Sequence, residues 1–165
     1  APDPGADSRK GDPKAEVLPG SVSTVGVIAR WRKPGPNGVP APLLEVRAVS
    51  GDLDADTQSG RLFDARGTFY RDGRPLAEFK APRVDAAQED QTVIAPHGAV
   101  MTSLDPPGTI VYANRVVWRI AEDRVVAAGN VRFTHTPRGA KVPSVTGGPI
   151  DRMTFDTDLQ TVTIP

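Results

Sequence analysis

Apolar and polar residues alternate with a period of two along much of this chain, and clusters of turn-forming residues interrupt the alternation at short intervals. That is the pattern of half-buried strands joined by tight turns. Strand-forming sequence begins at Ser21, with Val22, Val25, Val27, Ile28 and Trp31. It breaks at Pro34-Gly35-Pro36-Asn37-Gly38 and resumes at Leu43-Leu44-Glu45-Val46-Arg47-Ala48-Val49. A repeat then emerges. Phe63, Ala65, Gly67 and Phe69 align in type with Ile94, Pro96, Gly98 and Val100, and these align with Val125, Ala127, Gly129 and Val131. The steps from Gly67 to Gly98 and from Gly98 to Gly129 are each 31 residues. Each set follows a polar turn: Asp56-Thr57-Gln58-Ser59-Gly60, Gln88-Glu89-Asp90-Gln91 and Glu122-Asp123. A shortened copy follows, Met153-Thr154-Phe155, the turn Asp156-Thr157-Asp158, and Val162-Thr163-Ile164, with the extra length placed in a Pro/Gly loop from Pro137 to Pro149. The repeating unit is strand, polar turn, strand, looser turn. Stacked units would bury one another's apolar faces.

No window sustains the i, i+3, i+4 spacing of a helix, and Gly and Pro recur throughout. The pattern predicts an all-β fold of repeated antiparallel hairpins over residues 21–165, a single domain. Residues 1–20 carry four Pro and three Gly among charges, with Val17 and Leu18 as their large apolar residues, and read as a flexible leader or tether.

Composition narrows the function. The chain has 165 residues, enough for a core without covalent staples. Its 20 basic and 20 acidic residues balance, which gives no long-range field for nucleic acid. The absence of Cys removes disulfides and thiolate chemistry. No apolar stretch is long enough to span a bilayer as a helix. The two histidines, His97 and His135, stand in no metal-ligand spacing, and no nucleophile elbow, phosphate loop or dinucleotide fingerprint occurs. Asp52-Leu53-Asp54-Ala55-Asp56 starts like a calcium loop, but Thr57 and Phe63 stand where the Gly and the bidentate Glu belong. These carboxylates are expected to point outward from an exposed strand and to hold no metal. The expectation is a protein without catalytic residues or cofactor.

The informative residues are apolar. Ile110, Tyr112, Val116, Trp118 and Ile120 are expected to share one face of a long strand, with Phe63, Phe69, Phe79, Ile94, Val100, Val131, Phe133 and Phe155 on corresponding faces of others. Gly129 is expected on a crowded inward face and Asn130 on the outward one. Two functions fit such faces. One is a structural or adhesive β-repeat domain with a closed core and no lipid ligand. The other is a groove, open between two faces, that holds acyl chains. A sugar-processing pair of carboxylates has no specific support.

Three stretches carry a resemblance: Ala77-Glu78-Phe79-Lys80-Ala81-Pro82-Arg83-Val84-Asp85-Ala86, Val93-Ile94-Ala95-Pro96-His97-Gly98-Ala99-Val100, and Ile110-Val111-Tyr112-Ala113-Asn114-Arg115-Val116-Val117-Trp118 leading into Val125-Val126-Ala127-Ala128-Gly129-Asn130-Val131. Over about residues 43–164 the chain resembles the LptA/LptC (OstA-like) superfamily of periplasmic lipopolysaccharide-transport proteins, with the LptC-like type preferred. The resemblance implies a twisted, V-shaped antiparallel β-sandwich of jellyroll type. It implies a periplasmic protein of outer-membrane biogenesis that binds lipopolysaccharide and carries its acyl chains in the apolar interior. It also implies edge-to-edge docking with other jellyroll proteins of the transport bridge and with an inner-membrane transporter complex. LptC-type members carry an N-terminal membrane helix, and residues 1–20 would then be the linker beyond such an anchor. The family brings no catalytic residues.

Overall fold

The computed structural model describes residues 21–54, 56–57, 59–143, 145–160 and 162–163. The expected leader at residues 1–20 lies outside the described residues. Among the described residues eleven strands form one antiparallel sheet: β1 (Ser21–Pro34), β2 (Pro40–Asp54), β3 (Ser59–Arg71), β4 (Arg74–Ala87), β5 (Thr92–Ala95), β6 (Ala99–Leu104), β7 (Pro107–Ala113), β8 (Arg115–Arg119), β9 (Arg124–His135), β10 (Val145–Asp156) and β11 (Val162–Thr163). The helical content of the described residues is two 3-10 turns, Pro36–Gly38 and Ile120–Glu122. The all-β class predicted by the alternation is the class observed, and its antiparallel sheet agrees with the jellyroll that the resemblance implies.

Sheet order runs β1-β2-β3-β4-β5-β8-β9-β10-β11, with β6 and β7 bridging β4 to β9 on a parallel track. One half of β4 pairs with β5 and the other with β6, and β9 divides in the same way between β8 and β7. β5–β6 and β7–β8 are therefore two long strands, broken at Pro96-His97-Gly98 and at Asn114. The sheet folds over on itself. Phe69 of β3 and Phe79 of β4 meet Trp118 of β8 across the interior. Arg71 at the end of β3 reaches Asp123, just before β9, and Asp158, just after β10.

A crease explains the folding. In β2 the buried positions run Leu44, Val46, Ala48 and then Gly51; in β4 they run Ala77, Phe79, Ala81 and then Val84. Steps of two keep a side chain on one face, whereas a step of three moves the buried set to the other. The same step separates Leu62 from Ala65 in β3 and Ala113 from Val116 between β7 and β8. The steps line up in register, Ala48 opposite Ala65 opposite Ala81 on one side and Gly51 opposite Leu62 opposite Val84 on the other. A strand that turns a corner from one layer into the other needs this change of parity to keep apolar residues inside. Left-handed residues absorb the turn: Asp64 (φ 51), Gly98 (φ 100), Gly129 (φ 77) and Asn130 (φ 55). Gly98 and Gly129, matched by the repeat, are equivalent as bends. Gly67 is not, since it lies outside the left-handed set and Asp64 carries the bend in β3.

Two sequence expectations change. β10 begins at Val145, so Gly147, Gly148 and Pro149 belong to a strand and the preceding loop is shorter than Pro137 to Pro149. Asp52 is buried at 4% exposure instead of standing free on an exposed strand. Its carboxylate accepts from Arg61 Nη2 at 3.1 Å, and this partner, opposite it in the β2–β3 register, covers it on the face away from Gly51 and Leu62. Asp54 accepts backbone N–H bonds from Asp56 (3.0 Å) and Thr57 (3.3 Å) and so caps the β2–β3 turn. Among the described residues no group of three or more His, Asp or Glu has metal-binding geometry.

Candidate apolar interior and its openings

The interior is aliphatic and aromatic. Leu44, Val46, Leu62, Val84, Val93, Val111, Val116, Val125, Met153 and Phe155 are each at most 1% exposed. At its centre Phe79 stacks on Trp118 with ring centroids 4.3 Å apart, and Phe69 stands 6.1 Å from both. These rings fill the middle of the sandwich. Glycine makes the packing feasible. Gly67 lies opposite Phe79 in the β3–β4 register, and a Cβ there would come 2.0 Å from Phe79 Cε1. Gly147 stands in the same relation to Phe133, at 2.2 Å.

Of the twelve residues expected to line a groove, the structure points seven inward: Phe69, Phe79, Val116, Trp118, Val131, Phe133 and Phe155. Phe133 is the half-buried member of this set and packs against the core. The others face out. Val100, Ile110 and Tyr112 are 40%, 46% and 43% exposed. Phe63 and Ile94 are half-buried on the face opposite Leu62, Val93 and Ala95. The expectation that Ile110 and Tyr112 share a face with Val116 and Trp118 is corrected by the break at Asn114. Val111 and Ala113 are the inward residues before it. Ile94 and Val100 flank the bend at Gly98, and Phe63 sits beside the bend at Asp64. The buried Ala residues at 48, 65, 81, 99 and 113, in β2, β3, β4, β6 and β7, are the signal in the sequence that marks the crease.

Two openings lead toward this interior. One, about 340 Å³, includes Leu43, Phe69 and Ile120 with Lys33, Arg71 and Asp123. A polar clasp crosses it. Arg71 donates to Asp123 at 2.8 Å and to Asp158 at 3.4 Å, and Asp123 also accepts from the backbone N–H and the hydroxyl of Thr157. The other opening, about 320 Å³, is more apolar and is lined by Ile28, Trp31, Leu53, Leu62 and Ala86. The indole N–H of Trp31 is buried there without a hydrogen-bond partner among the described residues. No helix among the described residues is long and apolar enough to cross a membrane.

No family model matches the chain, and no curated protein matches it. Among solved structures it is similar to the crystal structure of LptH from Pseudomonas aeruginosa, described as the LptA homologous periplasmic component of the conserved lipopolysaccharide transport device. The likeness has a TM-score of 0.54 at 17% identity and covers 73% of this chain and 80% of that one. Similarity at that identity establishes a shared fold, and the fold is the one implied by the resemblance to the LptA/LptC superfamily.

Proposed function

We propose that this chain is a periplasmic lipopolysaccharide-transport protein that shields acyl chains between its two layers and docks through its sheet edges with other proteins of a transport bridge. The observation that supports this most is the fold shared with LptH over 73% of the chain. The interior adds to it. A sandwich lined by Val, Leu, Met and aromatic side chains offers acyl chains burial at roughly 25 cal/mol per Å² of apolar surface. β1 and β11 end the sheet order, and an unpaired strand edge is a template for another strand. The Phe69–Phe79–Trp118 stack occupies the middle of the interior, so loading requires these rings to move or the layers to part. An inner-membrane tether and an LptC-like role belong to the same proposal.

The test is photocrosslinking to lipopolysaccharide from a reactive residue placed at Phe69 or Trp118, with outward-facing Val49 as the control position. Crosslinks from the interior positions and none from Val49 are expected. If the interior positions give no lipid adduct in the folded protein, the transport reading fails and the closed structural domain takes its place.

A further inference from the structure

The outer surface of the sheet carries a second feature, unconnected with the interior. Arg47 of β2 lies opposite Arg66 of β3, and Arg66 lies opposite Lys80 of β4. Their side chains are exposed on the face opposite Val46, Ala65 and Phe79. Neighbouring strands stand about 4.8 Å apart, and like charges directly opposite one another destabilise a sheet. The adjacent row shows the arrangement that would relieve this. There Arg30 faces Glu45, and Glu45 accepts from both Arg30 and Arg47 at 3.0 Å. Among the described residues Arg66 and Lys80 form no ion pair. The three cations line a surface concavity of about 280 Å³, together with Thr68 and the carboxylates Glu45 and Glu78. With Arg30 engaged on Glu45, the surroundings hold four cations against two carboxylates. Along the same row Lys80 is followed by exposed Val100 and Tyr112, and then by Arg132.

We propose that the outer concavity of β2–β4 is a phosphate-binding site held by Arg47, Arg66 and Lys80. Guanidinium groups match phosphate oxygens with paired N–H donors, and Lys80 adds a point charge. The row's mutual repulsion, unfavourable in the empty sheet, becomes favourable when a dianion sits among the cations. The apolar Val100 and Tyr112 beside it suit the body of a phosphorylated molecule more than a bare ion. The inference does not rest on lipid transport, since it uses only the outer face.

The test uses the full chain and two probes: inorganic phosphate by calorimetry, and vesicles of phosphatidic acid against vesicles of phosphatidylcholine by co-sedimentation. Binding to inorganic phosphate marks a site for the free ion. Binding to phosphatidic acid vesicles alone marks a site for phosphate on a lipid headgroup. Either supports the proposal if Arg66→Glu lowers the affinity by about tenfold or more. Arg66→Glu is also expected to leave the melting temperature unchanged or raise it, because it sets a carboxylate between two cations. Arg66→Gln provides the same comparison without charge reversal should the first variant fold poorly. The proposal is overturned if neither probe binds, or if binding survives both Arg66 substitutions.

Discussion

Gly129 and Asn130 stand side by side in β9 in left-handed conformation, φ 77 and φ 55. A β-branched residue is strained in that region, at a cost of roughly 1–2 kcal/mol. Gly129 carries a second restriction, since an added Cβ would lie 3.1 Å from Asn114 Cβ at the break between β7 and β8. The sequence suggests that Gly129→Val is harmful through crowding and Asn130→Val benign. The backbone changes the second half of that expectation: both variants should melt lower than wild type, with Gly129→Val the lower. A thermal melt in which Asn130→Val matches wild type would contradict the left-handed assignment. Glu45 supplies a pH-dependent prediction. Its hydrogen bonds from Arg30 and then Arg47 hold its pKa below the ordinary 4.5. A depressed carboxylate stabilises the fold above its unfolded-state pKa, and the contribution is lost as pH falls through the folded-state value. Wild type should therefore exceed Glu45→Gln in stability at neutral pH, and the gap should close as urea melts are taken below the ordinary carboxylate range, through the lowered folded-state value. The partners of Glu45 are largely exposed, so the gap should be a fraction of a kcal/mol up to about 1 kcal/mol.

Paired strands explain what was legible in the sequence and what was not. Gly67 is not required by its own backbone angle. It is required by the ring across from it, because Phe79 is 1% exposed between Phe69 and Trp118 and has no room to withdraw. Gly67→Ala should cost on the order of 1–3 kcal/mol by overpacking. Combining it with Phe79→Leu should recover part of that loss, which a double-mutant cycle in denaturant would measure. Strictly additive losses would show that the ring is not the obstacle. Strand identity and hairpin order were readable because local alternation and polar turns specify them. Even the short β10–β11 hairpin was visible as two strands about the turn Asp156-Thr157-Asp158, and the structure adds its register, Phe155 opposite Val162. Which face points inward was not readable throughout. Alternation predicts facing only while a strand stays straight, and β2, β3, β4, β5–β6 and β7–β8 pass through the crease. Pro96-His97-Gly98 and Asn114 fit a continuous strand until their neighbours are known, so the alternation puts Ile110 and Tyr112 inside when they lie outside. The burial of Asp52 was not readable for a related reason: it depends on Arg61, which joins it only through strand pairing.

At the scale of the whole molecule the two layers are joined by unlike contacts. The aromatic stack closes the centre by apolar burial, while Arg71 ties one end through exposed ion pairs that contribute little to stability. Opening at that end is therefore cheaper than opening at the centre, and under the proposed function an acyl chain entering there would have to displace the rings to pass through. A pair of variants tests whether the interior holds lipid. Val116 is fully buried, between Ala95 of β5 and Ala127 of β9 in the register. Val117, the next residue, lies between Ile94 and Val126 on the other face and is half-buried. Val116→Glu places a carboxylate among apolar side chains without a partner, at a cost of several kcal/mol to whichever state keeps it ionised and dry. Val117→Glu places the same charge where water reaches it. Both proteins must first show wild-type circular dichroism, since Val116→Glu threatens the core as well as any ligand. Val116→Gln, which removes the charge and keeps the shape, serves if the acid does not fold. In folded proteins lipopolysaccharide loading, read by crosslinking, should be lost at position 116 and retained at position 117. Equal loading of the two would mean that acyl chains do not lie along β8, and the closed β-repeat domain would be the better description of this molecule.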